Sequence, residues 1–134
     1  MASVISGLQD PIDPVFLRSV VVDTSSKDVS PEVLDQLVGE LAKVPARVWK
    51  EMFASLLAYD DVAELGRISV PTLLVWGDAD ALVGRAMQEM LAERISGSEL
   101  HVYPGVGHTP RWEDPTRFAG DVATFVERSA RPGP

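Results

Sequence analysis

Residues 71–80 have the sequence PTLLVWGDAD, which combines an apolar run with two aspartates. Its largely apolar run, 72–76, is bounded by a proline and a glycine. A short unbroken run of this kind is typical of a strand that is buried on both faces of a parallel sheet. We therefore predict a buried strand here, followed by a turn that carries Asp78 and Asp80.

The sequence after this strand alternates helical and extended patterns. A 3.6-residue spacing predicts a helix over 85–95, a second strand follows over 100–103, and a last helix opens at Asp114-Pro115. A connection of this length makes the two strands parallel, with a right-handed crossover, so the predicted order is β-α-β-α. The apolar residues expected to face inward are Met87, Met90, Leu91 and Ile95 in the first helix and Phe118, Val122, Phe125 and Val126 in the last.

The sequence before residue 67 has a helical pattern. Ser30-Pro31 predicts a helix start, because serine caps free N–H groups and proline is tolerated at the first helical position. A second helix is predicted after Pro45, and a less regular apolar segment covers 15–22. The apolar stripes of the two helices consist of Val33, Leu34, Leu37, Val38 and Leu41 and of Val48, Trp49, Met52, Phe53, Leu56 and Leu57.

The composition is that of a globular domain, with 46% hydrophobic and 24% charged residues in a chain of 134. The net charge of −8 argues against nucleic-acid and anionic-membrane partners, because these need clustered Lys and Arg. Cysteine is absent, which excludes thiolate chemistry and disulfides. The apolar runs are too short to cross a bilayer, and residues 1–5 do not read as a signal peptide. We therefore expect a cytoplasmic protein.

Two polar loops follow the two predicted strands. Residues 77–80 hold two aspartates, and residues 105–110 hold His108. Since the carboxyl ends of parallel strands share one sheet edge, an Asp–His hydrogen bond between these loops is easy to form. Such a pair suits proton transfer near neutral pH, because a carboxylate on Nδ1–H fixes the imidazole tautomer and stabilises the imidazolium. Each loop alone is equally well explained as a turn without a functional role. The expected position of both loops at one edge of the sheet favours a functional Asp–His pair.

These residues resemble a known family. Segments 71–83, 105–108 and 112–115 look like the C-terminal part of an α/β-hydrolase. In that family the acid of the catalytic triad lies in a Gly-x-x-Asp turn, and the base lies in a Gly-His turn before the last helix. The resemblance therefore implies Asp80 as the acid and His108 as the general base; Asp78 is the alternative acid, but the register of the turn favours Asp80.

The resemblance also implies the domain organisation and the activity. Residues 1–66 resemble a helical cap and 67–130 resemble the C-terminal core segment. The sequence of 131–134 is expected to form a flexible tail. The implied fold is therefore α/β, a partial α/β-hydrolase fold with a helical cap followed by β-α-β-α and parallel strands. The implied activity is esterase-like hydrolysis of a small acyl compound, with no cofactor.

The nucleophile of the family is missing from this sequence. No Gly-x-Ser-x-Gly elbow precedes the acid and the base, and the oxyanion-hole segment is absent as well. We therefore expect a truncated hydrolase that is inactive alone. The alternative is a noncatalytic remnant that self-associates, since the predicted strand over 72–76 would expose an unpaired apolar edge.

Other residues have weaker claims to function. Trp49, Met52 and Phe53 could line a substrate pocket under the cap, although such a stripe is usually core. Trp112 could face the substrate, but support of the histidine loop by Trp112 and Glu113 is the default. His101 lies within a strand and is expected to be packed or solvent-facing. The spacing of the histidines and methionines fits no metal site, so none is expected.

Overall fold

The computed structural model describes residues 2–26 and 28–130. A helical part comes first along the chain, and an α/β part follows it. The predicted tail, 131–134, lies outside the described residues. The helices are α1 (Ala2–Ser6), α2 (Pro14–Thr24), α3 (Pro31–Leu41), α4 (Ala46–Ala58), α5 (Arg85–Arg94), α6 (Pro110–Glu113) and α7 (Pro115–Ser129), and the strands are β1 (Thr72–Gly77) and β2 (Ser98–Tyr103).

The two strands form a parallel sheet, as predicted. Thr72 pairs with Ser98 at one end and Gly77 pairs with Tyr103 at the other, so the strands end side by side. The prediction that β1 is buried on both faces is wrong for most of its length. Only Trp76 and Gly77 are buried, whereas Thr72–Val75 are half-buried, because the described residues contribute only two strands to this sheet.

The chain divides into two compact units. The first comprises Met1–Asp23 and Ser30–Asp61, and the second comprises Thr24–Val29 and Val62–Pro134. The sequence-based division at residue 66 differs from these units by a few residues and does not separate the segment 24–29. That segment groups with the second unit because it makes hydrogen bonds to the loop around His108.

The first unit is built around a small apolar core. Ser30 caps α3, as predicted, since its Oγ accepts a hydrogen bond from Val33 N at 3.4 Å. The indole of Trp49 lies between the rings of Phe16 and Phe53, at centroid distances of 6.1 and 6.3 Å. The buried members of this core are Ile5, Leu8, Ile12, Leu17, Ala46 and Trp49.

Several residues predicted to face inward are exposed. On α4 the predicted apolar face contains more residues than the core of the first unit covers. The core contacts the side of the helix that carries Trp49 and Phe53. On α5 Met87 is exposed. The buried residue of this segment is Ile95, which directly follows the helix. The predicted inward residues that are exposed are Val33, Val48, Met52, Leu56, Leu57, Met87 and Val126.

A polar cluster fastens α7 to β2 in the second unit. The hydroxyl of Tyr103, a fully buried residue, donates a hydrogen bond to Asp121 Oδ2 at 2.6 Å. His101 Nδ1 lies 3.2 Å from the same oxygen. The hydrogen bond from Tyr103 lowers the pKa of Asp121 despite the opposing effect of burial. His101 is thus a half-buried strand residue held by this cluster.

Candidate active site

The carboxyl ends of β1 and β2 bring the two polar loops together. Asp78 N donates to Tyr103 O at 3.1 Å, and Ala79 N donates to Val106 O at 3.0 Å. The side chain of Asp78 reaches the other loop directly, because its Oδ1 accepts from Gly105 N at 2.6 Å. These bonds fix the loops against each other, and Asp78 is occupied as an anchor of the histidine loop.

Asp80 is held by its own turn. Its Oδ1 accepts hydrogen bonds from Leu82 N at 2.8 Å and Val83 N at 3.0 Å. The indole of Trp76, at the buried end of β1, braces the turn by donating to Val83 O at 2.9 Å. An aspartate that binds backbone N–H groups two and three residues ahead is a common turn device. Here it leaves the second oxygen of the carboxylate, Oδ2, for another partner.

That partner is His108, whose Nδ1 lies 2.9 Å from Asp80 Oδ2. The side chain of Asp80 is only 4% exposed, whereas that of His108 is 41% exposed. Burial alone would raise the pKa of Asp80, but the hydrogen bonds from His108 and from the N–H groups of Val83 and Leu82 outweigh it and lower the pKa. Asp80 is therefore a carboxylate near neutral pH.

The ionised Asp80 determines the tautomer of His108. A carboxylate can only accept hydrogen bonds, so the proton of the neutral imidazole must be on Nδ1. The lone pair of Nε2 is then free to take a proton, and the carboxylate stabilises the imidazolium that results. The pair has the arrangement of a general base with its orienting acid.

Close backbone packing brings the two loops within reach of each other. A Cβ added to Gly77 would lie 2.1 Å from Val106 O and 2.3 Å from Gly107 O. A Cβ on Gly107 would lie 2.7 Å from Ser26 N. Gly105 has a φ of +68°, a conformation that side chains disfavour. Glycine is thus required at the end of β1 and before the histidine.

The segment 24–26 also contacts the histidine loop, which the sequence did not predict. Thr24 O accepts a hydrogen bond from His108 N at 2.9 Å, and Ser26 Oγ donates to Gly105 O at 2.8 Å. Ser26 and Gly105 are 79 residues apart in the sequence, and no local pattern marks the segment. The consecutive Thr24, Ser25 and Ser26 are the only sequence signal, and such runs are common in loops.

The remaining candidate residues are characterised by their contacts within their own units. Trp49 is buried in the core of the first unit, Phe53 packs against it, and Met52 is exposed. Trp112 is half-buried on α6, and the guanidinium of Arg111 lies 3.8 Å from the centroid of its ring. Burial lowers the pKa of Arg111. The structure therefore brings Asp80 and His108 together. Of the other candidates, Trp49 and Phe53 pack against each other, Trp112 contacts Arg111, and Met52 is exposed.

The described residues contain neither a helix that could cross a membrane nor a group of three or more side chains that could hold a metal ion.

A family model described as the alpha/beta hydrolase family matches residues 3–122. The match extends over most of both compact units and includes both members of the Asp80–His108 pair. The chain therefore belongs to the alpha/beta hydrolase family, and it carries an aspartate–histidine pair at the carboxyl edge of its sheet.

Curated relatives resemble part of the chain. A 2-hydroxy-6-oxononadienedioate/2-hydroxy-6-oxononatrienedioate hydrolase from Klebsiella pneumoniae is 43% identical over 65 residues, 48% of this chain and 23% of the relative. A relative of the same name from Paraburkholderia xenovorans is 30% identical over 78 residues, 58% of this chain and 27% of the relative. The matches thus span about a quarter of the length of these relatives.

Solved structures share the fold over most of the chain. The esterase from Exiguobacterium antarcticum has a TM-score of 0.79 at 20% identity, with 85% of this chain and 42% of the esterase covered. A hydrolase from Pseudomonas aeruginosa has a TM-score of 0.75 at 22% identity, with 93% of this chain and 47% of the other covered. The chain corresponds in fold to less than half of each of these proteins.

Proposed function

We propose that this chain supplies the acid and the general base of a hydrolase triad, Asp80 and His108. The observation that carries the proposal is the 2.9 Å hydrogen bond between Asp80 Oδ2 and His108 Nδ1. The nucleophile comes from sequence outside these 134 residues, and the first 66 residues act as part of the cap. Without that nucleophile the chain alone does not turn over substrate.

Each member of the pair has a defined role. His108 Nε2 takes the proton of the nucleophile as it attacks the carbonyl carbon and later returns a proton to the leaving group. Asp80 holds the imidazole in the required tautomer and stabilises its positive charge. The 41% exposure of His108 supports this role, since Nε2 must reach a group that the chain does not itself contain.

The proposed substrate is a small ester or related acyl compound. The solved relative from Exiguobacterium antarcticum is named an esterase, and the curated relatives are named hydrolases of 2-hydroxy-6-oxononadienedioate. Both names describe hydrolysis. We further propose that the protein acts in the cytoplasm without a cofactor.

A chimera tests the proposed function. This chain replaces the matching part of the Exiguobacterium antarcticum esterase, so that the rest of the esterase supplies the nucleophile that the family pattern places there. Hydrolysis of a p-nitrophenyl ester is then measured. We expect the chimera to be active and to depend on His108, whereas the separate chain is inactive.

Self-association is the second candidate function. The half-buried strand β1 favours it, since Leu73, Leu74 and Val75 keep part of their apolar surface exposed in the second unit. Exposed strand edges and apolar surfaces of this kind pair readily with another chain. On this proposal the chain is an interaction module whose partner is a second copy of itself.

We expect the separate chain to form oligomers whose population rises with concentration. Sedimentation velocity over a hundredfold concentration range measures this directly. A matched variant, Val75→Lys, places a charge on the half-buried part of β1 and is expected to reduce the oligomer. A cooperatively folded chain that stays monomeric at every concentration would contradict the second candidate.

A further inference from the structure

Glu113, the last residue of α6, lies at the centre of a hydrogen-bond network beside the His108 loop. Its Oε1 accepts from Thr109 N at 3.0 Å and from Thr109 Oγ1 at 2.9 Å. Its Oε2 accepts from Gly107 N and Ser26 N, both at 2.9 Å. The two oxygens of the Glu113 carboxylate together therefore bind three backbone N–H groups. Two of these belong to the His108 loop and one, that of Ser26, belongs to the segment 24–26.

The donors of this network flank the proposed base. Gly107 and Thr109 are the neighbours of His108 on either side, and both of their N–H groups bind Glu113. The N–H of His108 itself donates to Thr24 O, in the segment that Glu113 holds through Ser26. Three consecutive backbone N–H groups of the loop are thus fixed by Glu113 or by the segment that it anchors.

The network leaves little freedom to the loop. Thr109 is only 4% exposed, and its Oγ1 lies 3.2 Å from Ser25 Oγ. Since the hydroxyl of Thr109 donates to Glu113, it can accept from Ser25 in turn. A Cβ added to Gly107 would lie 2.7 Å from Ser26 N and 2.9 Å from Thr24 O, so a larger residue would not fit beside this segment. Removal of the carboxylate would therefore leave several buried donors without an acceptor, which is costly.

We propose that Glu113 is the positioning residue of the base, holding His108 within hydrogen-bond distance of Asp80. The inference deepens the proposed function and rests on it for the catalytic meaning of the pair. Glu113 acts on His108 indirectly, through the backbone N–H groups of the residues on both sides of it. It also ties the placement of His108 to the segment 24–26.

Glu113→Gln is a stringent substitution because it keeps the shape of the side chain. Each carboxylate oxygen now accepts from N–H donors, so either orientation of a glutamine amide would set its NH₂ group against them. The matched control is Glu127→Gln, the same change at an exposed position of α7.

The test is NMR of the full chain, which needs no activity. In the parent protein we expect a slowly exchanging Nδ1 proton of His108 and an Asp80 carboxyl carbon that titrates below the ordinary aspartate range. In Glu113→Gln the Nδ1 signal is lost and the Asp80 midpoint rises, while the amide signals of β1 and β2 persist. Glu127→Gln leaves both readouts unchanged.

A second variant, Thr109→Val, covers the case in which Glu113→Gln does not fold. It removes one hydrogen bond to Glu113 and keeps the volume of the side chain, so we expect a weakened Nδ1 signal and a smaller rise of the Asp80 midpoint. A folded Glu113→Gln, or failing that Thr109→Val, with both readouts at parent values would overturn the proposal. An inactive chimera with an intact pair in these spectra would instead overturn the proposed function alone.

Discussion

In the chimera with the Exiguobacterium antarcticum esterase, His108→Ala is expected to hydrolyse esters at least about 10³-fold more slowly than the parent. The imidazole has no substitute, because its Nε2 is the acceptor that the Asp80 hydrogen bond prepares. The loss should lie in kcat, since the base acts in the transition state and contributes little to substrate binding. Steady-state kinetics with a p-nitrophenyl ester provide the measurement.

The chain offers a matched control in His101→Gln, which changes its other histidine. His101 contacts Asp121 and Glu99 on the packed side of β2 and is not part of the Asp80–His108 pair. We expect this variant to retain most of the activity of the parent chimera. Equal rates for His108→Ala and the parent, or a folded chimera that never turns over, would contradict the proposed function.

Gly77→Ala is expected to destabilise the second unit by more than about 4 kcal/mol. The added Cβ would lie 2.1 and 2.3 Å from the carbonyl oxygens of Val106 and Gly107, which is well inside contact distance. Both obstacles are backbone atoms of the histidine loop, so no side-chain rotation relieves the overlap. The free energy of unfolding in urea, followed by circular dichroism, measures the effect.

Gly120→Ala is the control for this substitution. Gly120 lies within α7, and a Cβ there would meet no atom within 4 Å. Alanine favours a helix over glycine, so we expect a gain of about 0.5–1 kcal/mol. If Gly77→Ala unfolded at the same urea concentration as the parent, the close packing of the two loops would be refuted.

The sequence predicted the sheet and its polar edge because local patterns encode them. The apolar run of β1, the glycine after it and the helical spacing of 85–95 led to two parallel strands, which the structure contains. Parallel strands must then end at one edge, so the approach of Asp80 and His108 followed from topology. The sequence did not anticipate that Asp78 binds Gly105 N, because this contact depends on the exact register of the strands.

Other features depend on contacts between distant parts of the chain. The apolar residues of α4 suggested a broad buried face, yet Met52, Leu56 and Leu57 are exposed. Periodicity shows which residues share a face of a helix, but the neighbouring elements determine which of them are buried. The segment 24–26 carries no pattern that points to the histidine loop. The sequence predicted that Glu113 supports that loop. It did not predict the hydrogen bonds from both neighbours of His108, because these form only when α6 has folded.

The tautomer of His108 in the chain itself, read from the ¹⁵N shifts of its ring near neutral pH, tests the proposed acid–base pair directly. We predict that the neutral ring carries its proton on Nδ1, with Nε2 free, and that Asp80→Asn abolishes this preference. The carboxylate of Asp80 can only accept a hydrogen bond, so the pair permits no other neutral form. A ring protonated mainly on Nε2, or a mixture that Asp80→Asn leaves unchanged, would contradict the claim that Asp80 and His108 form a functional acid–base pair.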